Sequence, residues 1–272
     1  MIEGLGSFED FRLMAEAVED LFLGVALSSI RLFAAFNVLP ATGQRFLQGL
    51  TRAGLVVMIG TYISFGVPVE ALDALTPIQW FGHVLKEVLI GVLMGMAAST
   101  VFWTAECVGA LVDTQVGYNN VQLTNPLSGE QSTPVSGMLL QLVLTVFYVL
   151  GGMLVFVGAL FESFKVWPLL SPLPSLGGVS DVLLVGPLDT LMTSVVKFAA
   201  PLLLVLVLID LGFGLVTRAA DKLEPTSLSQ PVKGAVTMLL LSLLCGVFIT
   251  QVRSALLPTQ LIQQLQALLP TS

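Results

Sequence analysis

The chain has 272 residues, of which 55% are apolar and only 11% charged, and its net charge is −7. Soluble domains carry about 25% charged residues and nucleic-acid binders present basic faces, so composition argues against both classes. Apolar runs of roughly 18 residues or more with few charges read as membrane spans, and at least five occur here.

The chain opens on an acidic segment, 1–20, with Glu3, Glu9, Asp10, Glu16, Glu19 and Asp20. A signal peptide needs a basic start before its apolar stretch, so the first span is expected to stay in the mature protein. Phe11, Met14, Val18 and Phe22 recur at helical spacing, which predicts an amphipathic lead-in to that span. Six helical runs follow: Leu21 to Val38, Ala53 to Val69, Val84 to Asp113, Val135 to Leu160, Leu188 to Val216 and Ala235 to Val252. Pro40, Pro68 and Pro168 punctuate their ends. After the sixth run, Leu261, Ile262, Leu265, Leu268 and Leu269 make one apolar stripe, which predicts a short amphipathic tail over 256–272. The reading is an all-α membrane protein of about six long apolar helices, one membrane domain over 1–272 containing helical hairpins at 84–160 and 188–255.

Cytoplasmic loops favour Lys and Arg. Six spans with both termini outside place Arg45, Arg52, Arg218, Lys222 and Lys233 inside, with the loops of Glu70 and Asp73 and of Lys165 and Asp181 outside. Arg31, Lys86, Glu87, Lys197 and Asp210 lie within apolar runs or at their ends. A charge at a span centre costs roughly 2.5–3.5 kcal/mol, so these groups face protein or water. Pairing inside a helical assembly is one reading; an ion or proton pathway is the other. Cys107 and Cys245, in apolar surroundings, read as two small buried hydrophobes.

The third run carries the clearest pattern. At about 100° per residue, Glu87, Gly91, Gly95, Ala98, Phe102, Glu106, Gly109 and Asp113 fall in one narrow band. Small residues let helix backbones approach closely within a membrane, and acids on the same band are kept from lipid. The band is either a subunit interface or a packing face within the chain. Residues 87–113 would span about 40 Å as a helix, against roughly 30 Å of hydrocarbon.

Two polar loops interrupt the apolar runs. Thr114 to Pro134 is rich in turn formers, and Thr133-Pro134 suits an N-cap and first helical residue. Asp221 to Gly234 precedes the sixth run, where Ser229 or Gln230 is a candidate cap for a helix beginning at Pro231. Pro-Val-x-Gly occurs in both, at Pro134 and Pro231, which suggests two hairpins of related design.

These stretches carry a resemblance. KEVLIGVLMG from Lys86, WTAECVGALVDTQVGYNN from Trp103, NPLSGEQSTPVSGMLLQL from Asn125 and ADKLEPTSLSQPVKG from Ala220 resemble the FliR/YscT/SpaR/HrcT family, the T subunit of the type III secretion export apparatus, and its injectisome branch more than its flagellar one. Glu224-Pro225 departs from the more apolar pair expected there. The resemblance, which covers nearly the whole chain, implies a non-enzymatic subunit of a helical, hetero-oligomeric export gate in the bacterial inner membrane, part of it on the periplasmic side. It implies as partners the R and S subunits, the switch U subunit, the inner-rod protein, unfolded secreted proteins in transit and membrane lipid, with no cofactor and no metal. It places a plug of the closed gate at Gly117, Tyr118, Asn119, Asn120, Val121, Gln122 and Leu123, and draws notice to Ser229, Gln230, Pro231 and Lys233 in the second loop. An ordinary surface connection is the plainer reading of the first loop. In the same loop Glu130 is either a solvated acid or a contact for a basic partner.

Two other classes remain in view. A secondary transporter of a small solute would need a midplane site, for which Asp210, Gly212, Gly214 and Arg218 are the candidates. An intramembrane enzyme would have to use the single histidine, His83, placed at the start of the third helix, without any G-x-S-x-G turn.

Overall fold

The computed structural model describes residues 8–43, 46–66, 75–118, 123–124, 131–171, 184–219 and 226–256. The loop bearing Glu70 and Asp73, residues Arg45, Pro68, Glu130, Asp181 and Lys222, the pair Glu224-Pro225 and the tail from 257 lie outside them. The described chain is helical: α1 Phe8–Val38, a short 3-10 turn Pro40–Thr42, α2 Gly49–Ser64, α3 Pro77–Val116, α4 Pro134–Val149, α5 Gly152–Val166, α6 Gly186–Ala219 and α7 Thr226–Leu256. Between α3 and α4, Leu123–Thr124 and Gln131–Ser132 pair as two-residue antiparallel strands.

The helical fold is as expected; the count of crossings is lower. Among the described residues four helices are long and apolar enough to cross a membrane, or five if a bent pair counts as one. The second run gives only the 16 residues of α2, about 24 Å and short of roughly 30 Å of hydrocarbon. The fourth run is broken: α4 and α5 meet at 71°. Gly151 sits at the break with φ of 72°, a left-handed conformation that glycine adopts without a Cβ clash, and the N–H of Leu154 and of Val155 both turn back to its carbonyl. The six-span topology with both termini outside therefore loses its count. α7 begins at Thr226, so Ser229, Gln230 and Pro231 lie inside a helix and do not start one. Pro231 is the sixth helical residue, where its missing N–H forfeits one bond to the carbonyl of Ser227; the remaining helix tolerates that loss. The Pro-Val-x-Gly echo thus marks a helix start at Pro134 and a helix interior at Pro231.

The chain forms two compact units. The first contains α1, α2, α3 as far as Ala97 and α5 from Leu160. Here α1 packs along α2, with Leu27, Leu32, Ala35, Phe36, Val56, Ile90 and Met94 buried. A Cβ at Gly91 would strike the backbone carbonyl of Arg31, and one at Gly95 would come within 2.8 Å of both Ala35 O and Val38 Cβ. The small residues are therefore what lets α3 approach α1 backbone to backbone. The lead-in is helical from Phe8, continuous with α1, and its stripe of Phe11, Met14, Val18 and Phe22 is exposed.

The second unit contains α3 from Ala98, α4, α5 as far as Ala159, α6 and α7. Phe102 packs edge-on against Phe147 at 5.2 Å between ring centroids, and Phe198 of α6 stacks on Phe248 of α7 at 4.4 Å. Val108, Val112, Val116, Val135, Leu139 and Val143 are buried in the same unit. Cys107 is exposed and Cys245 partly so, in contrast to the buried pair expected; both sit on apolar helix faces turned outward, which composition alone does not distinguish from a core. His83 lies two turns into α3, not at its start, because the helix begins at Pro77.

Candidate functional site

Two sets of polar groups interrupt the apolar helices, one in each unit. In the first, the Arg31 guanidinium holds Glu87 with both arms, Nε to Oε2 at 2.7 Å and Nη2 to Oε1 at 3.0 Å. It also donates to the Ser163 hydroxyl at 3.1 Å and to the Trp167 carbonyl at 2.8 Å, and stacks over the Phe164 ring at 3.9 Å. The Lys86 ammonium donates to the carbonyls of Pro168, Leu169 and Ser171 at 2.8, 2.7 and 3.1 Å and lies 3.1 Å from Glu87. All three side chains are buried. Every charge has partners, so of the two readings of these charges, pairing within a helical assembly describes them, and the assembly is the chain's own α1, α3 and the end of α5.

In the second unit the end of α3 is tied to two neighbours. Gly117, with φ of 93°, closes α3 in the left-handed region, and its N–H bonds back to Asp113 O at 3.0 Å. That leaves carbonyls at the helix end without intrahelical donors. Lys233 of α7 donates to Gln115 O at 2.8 Å, and the Gln230 amide reaches Gly117 O at 3.4 Å. Lys233 also pairs with Asp210 of α6 at 3.0 Å, and the Asp210 carboxylate accepts a further bond from the Gln115 amide at 2.9 Å. A cation at a helix C-terminus is favoured by the helix dipole as well. The Tyr118 hydroxyl lies where a Cβ on Gly234 would be, so that glycine admits the ring against α7. The two loops singled out by sequence thus meet, through Gly117 and Tyr118 on one side and Gln230 and Lys233 on the other.

One turn back on α3, the buried Asp113 carboxylate accepts from the backbone N–H of Val135, at 3.2 and 3.0 Å through its two oxygens, and from that of Ser136 at 3.0 Å. Thr133 occupies the N-cap position and Pro134 the first helical position as expected, but Thr133 makes no capping bond with its side chain. Asp113 does that work from a different helix. The Ser136 hydroxyl donates to Glu106 O at 3.2 Å, and a Cβ on Gly109 would overlap the Ser136 backbone.

The band on α3 can now be assigned position by position. Glu87 meets Arg31, Gly91 and Gly95 meet α1, Phe102 meets Phe147, Gly109 meets Ser136 and Asp113 caps α4, while Ala98 and Glu106 are half-buried. Packing within the chain describes this band. Asn119, Asn120, Val121 and Gln122 lie outside the described residues, and Leu123 is seen through its strand pairing with Ser132. Ser229 is half-buried in α7 and Pro231 is exposed. Gln115 and Ser136 were missed by sequence reasoning, since a polar residue whose partner lies far along the chain leaves no local signal.

The Lys233 contacts make a measurable claim. Lys233→Met removes a charged hydrogen bond worth about 1.5–3 kcal/mol, so local opening at the end of α3 should rise by about tenfold or more. Amide hydrogen exchange at residues 115–118 reads this directly. Unchanged exchange there would show that the ammonium does not hold the end of α3.

Comparison with known proteins gives a consistent picture. Residues 22–258 match the family described as bacterial export proteins, family 1. The chain is 30% identical over 249 residues to Yop proteins translocation protein T of Yersinia pestis, covering 90% of this chain and 94% of that one. It is 26% identical over 234 residues to the surface presentation of antigens protein SpaR of Salmonella typhimurium, covering 83% and 84%. It is 22% identical over 243 residues to the flagellar biosynthetic protein FliR of Bacillus subtilis, covering 88% and 92%. With several apolar helices long enough to cross a bilayer, and a family match over most of its length, the chain is a multi-pass membrane protein belonging to the bacterial export proteins, family 1.

Proposed function

We propose that the chain is a non-enzymatic subunit of the type III protein export gate in the bacterial inner membrane. It forms, with R and S subunits, the entry to the channel for unfolded secreted proteins, beside the switch U subunit and the inner-rod protein, with part of the assembly on the periplasmic side. The observation that carries this reading is the family match over residues 22–258. A likeness to the Yersinia translocation protein along nearly the full length of both chains supports the injectisome branch. The geometry agrees with it: α6 and α7 are long and apolar yet largely uncovered within their own unit, which suits helices that meet lipid and sibling subunits.

The loop from Gly117 to Leu123 plugs the closed channel. What supports this is its root, where Lys233, Gln230 and Tyr118 fix the end of α3, so the short polar segment beyond has a fixed starting point. A turn-rich segment of this kind opens without melting the helices on either side.

Co-expression with R and S subunits tests both parts. A complex of defined mass should form, and deletion of 118–122 from it should raise ion leakage across the membrane while its mass stays the same. A solitary, monodisperse chain that binds a small solute would overturn the subunit role. An intact complex whose leakage is unchanged by the deletion would overturn the plug alone.

A further inference from the structure

We propose that the face of α6 around Lys197 docks a membrane-embedded helix of a neighbouring polypeptide, and that a carboxylate on that helix pairs with the Lys197 ammonium. Lys197 is exposed and lies inside the apolar Gly186–Arg218 segment, about 16 Å along the helix from Gly186 and about 32 Å from Arg218. The buried cations Arg31, Lys86 and Lys233 have carboxylate partners, Glu87 for the first two and Asp210 for the third, while Arg52 of α2 lies over the Phe33 ring. Lys197 enters none of the ion pairs found among the described residues. A lone ammonium facing hydrocarbon costs roughly 2.5–3.5 kcal/mol, and a facing carboxylate on a partner removes that cost.

Two features of the same turns point to protein and away from lipid as the occupant. Pro201 stands one turn beyond Lys197 within α6 and has no N–H to give to the Lys197 carbonyl, so the position offers a backbone acceptor as well as a cationic donor. On its own face the exposed residues around it are Thr190, Thr193, Ala200 and Pro201, mostly small or hydroxylated as at helix–helix contacts in membranes, with Met192 and Val196 exposed to one side. Further along, the exposed residues become Leu204, Leu208, Leu211 and Leu215, which suit acyl chains. A lysine serving as an interfacial anchor would keep company with Trp or Tyr, and neither occurs in α6. The inference rests on the export reading for the identity of the neighbours, so co-purification of the R and S subunits with the chain is scored separately: loss of the complex counts against that reading, and a complex without the adduct counts against this one.

The test places a photo-crosslinking amino acid at Thr193 and, separately, at Ala200 in the full chain, in membranes that also contain R and S subunits. Adducts are mapped by mass spectrometry. The expected result is a protein adduct on a helix, within about one turn of an Asp or Glu. Lys197→Met should lower the yield of that adduct by about tenfold or more, the scale of close charge pairs at interfaces, while Lys197→Arg retains it. Lys197→Met removes a charge from an apolar helix, so insertion of the chain itself should be undiminished, and its level in the membrane is measured alongside. Charge exchange completes the test: Lys197→Glu should lose the adduct, and Lys at the mapped carboxylate should restore it. Adducts to lipid alone, or an adduct yield unchanged by Lys197→Met, would overturn the proposal.

Discussion

Glu87→Gln should be the most damaging single change in the first unit, and clearly worse than Arg31→Met. The two substitutions break the same bidentate pair but leave different remainders. Without Arg31, the Glu87 carboxylate still has the Lys86 ammonium at 3.1 Å. Without the Glu87 charge, the buried Arg31 and Lys86 cations face each other with no anion between them. Removing one partner of a buried ion pair costs about 3–5 kcal/mol, because the other is left uncompensated. Glu87→Gln should fall in or above that range and Arg31→Met below it, read as the loss of monodisperse protein in a thermal ramp of the detergent-solubilised chain. Equal losses, or the reverse order, would mean that the charge balance of this cluster is not what holds α1 against α3.

Asp113→Ala comes next, and its effect should be local. The carboxylate satisfies the N–H groups of Val135 and Ser136 at the start of α4, and both residues are buried. Each orphaned donor costs about 1–3 kcal/mol, which gives about 2–6 kcal/mol for the pair. Asp113→Asn keeps one acceptor oxygen and should recover part of the loss. Hydrogen exchange should accelerate at residues 135–138 and stay unchanged at 86–95 of the same α3. Uniform acceleration along α3 would instead assign Asp113 to the integrity of that helix.

The long-period features were legible in the sequence. The recurrence of small and acidic residues on α3 marked the buried face, because helical spacing and the cost of acids in lipid act on every turn. Thr133-Pro134 marked a helix start for an equally local reason. What stayed hidden depends on groups brought together over long separations. Nothing near Arg31 in the chain points to Glu87, 56 residues on, and nothing near Thr133 shows that its capping bonds come from Asp113. The break after α4 did leave a local trace, since Gly151-Gly152 interrupts the fourth run; the apolar residues on both sides masked it. The start of α7 was misplaced for a related reason. Pro231 resembles a first helical residue, but a proline in the second turn removes a single bond and the helix reaches back past it to Thr226.

Lys86 behaves as a counter-ion on a tether. Three carbonyl oxygens and a carboxylate oxygen surround its ammonium at 2.7–3.1 Å, an arrangement that elsewhere is filled by a dissolved monovalent cation. Because the positive charge is covalently attached, the junction after α5 draws on no electrolyte. Its occupancy is set by the chain itself, so changes in the salt on either side of the membrane leave it filled.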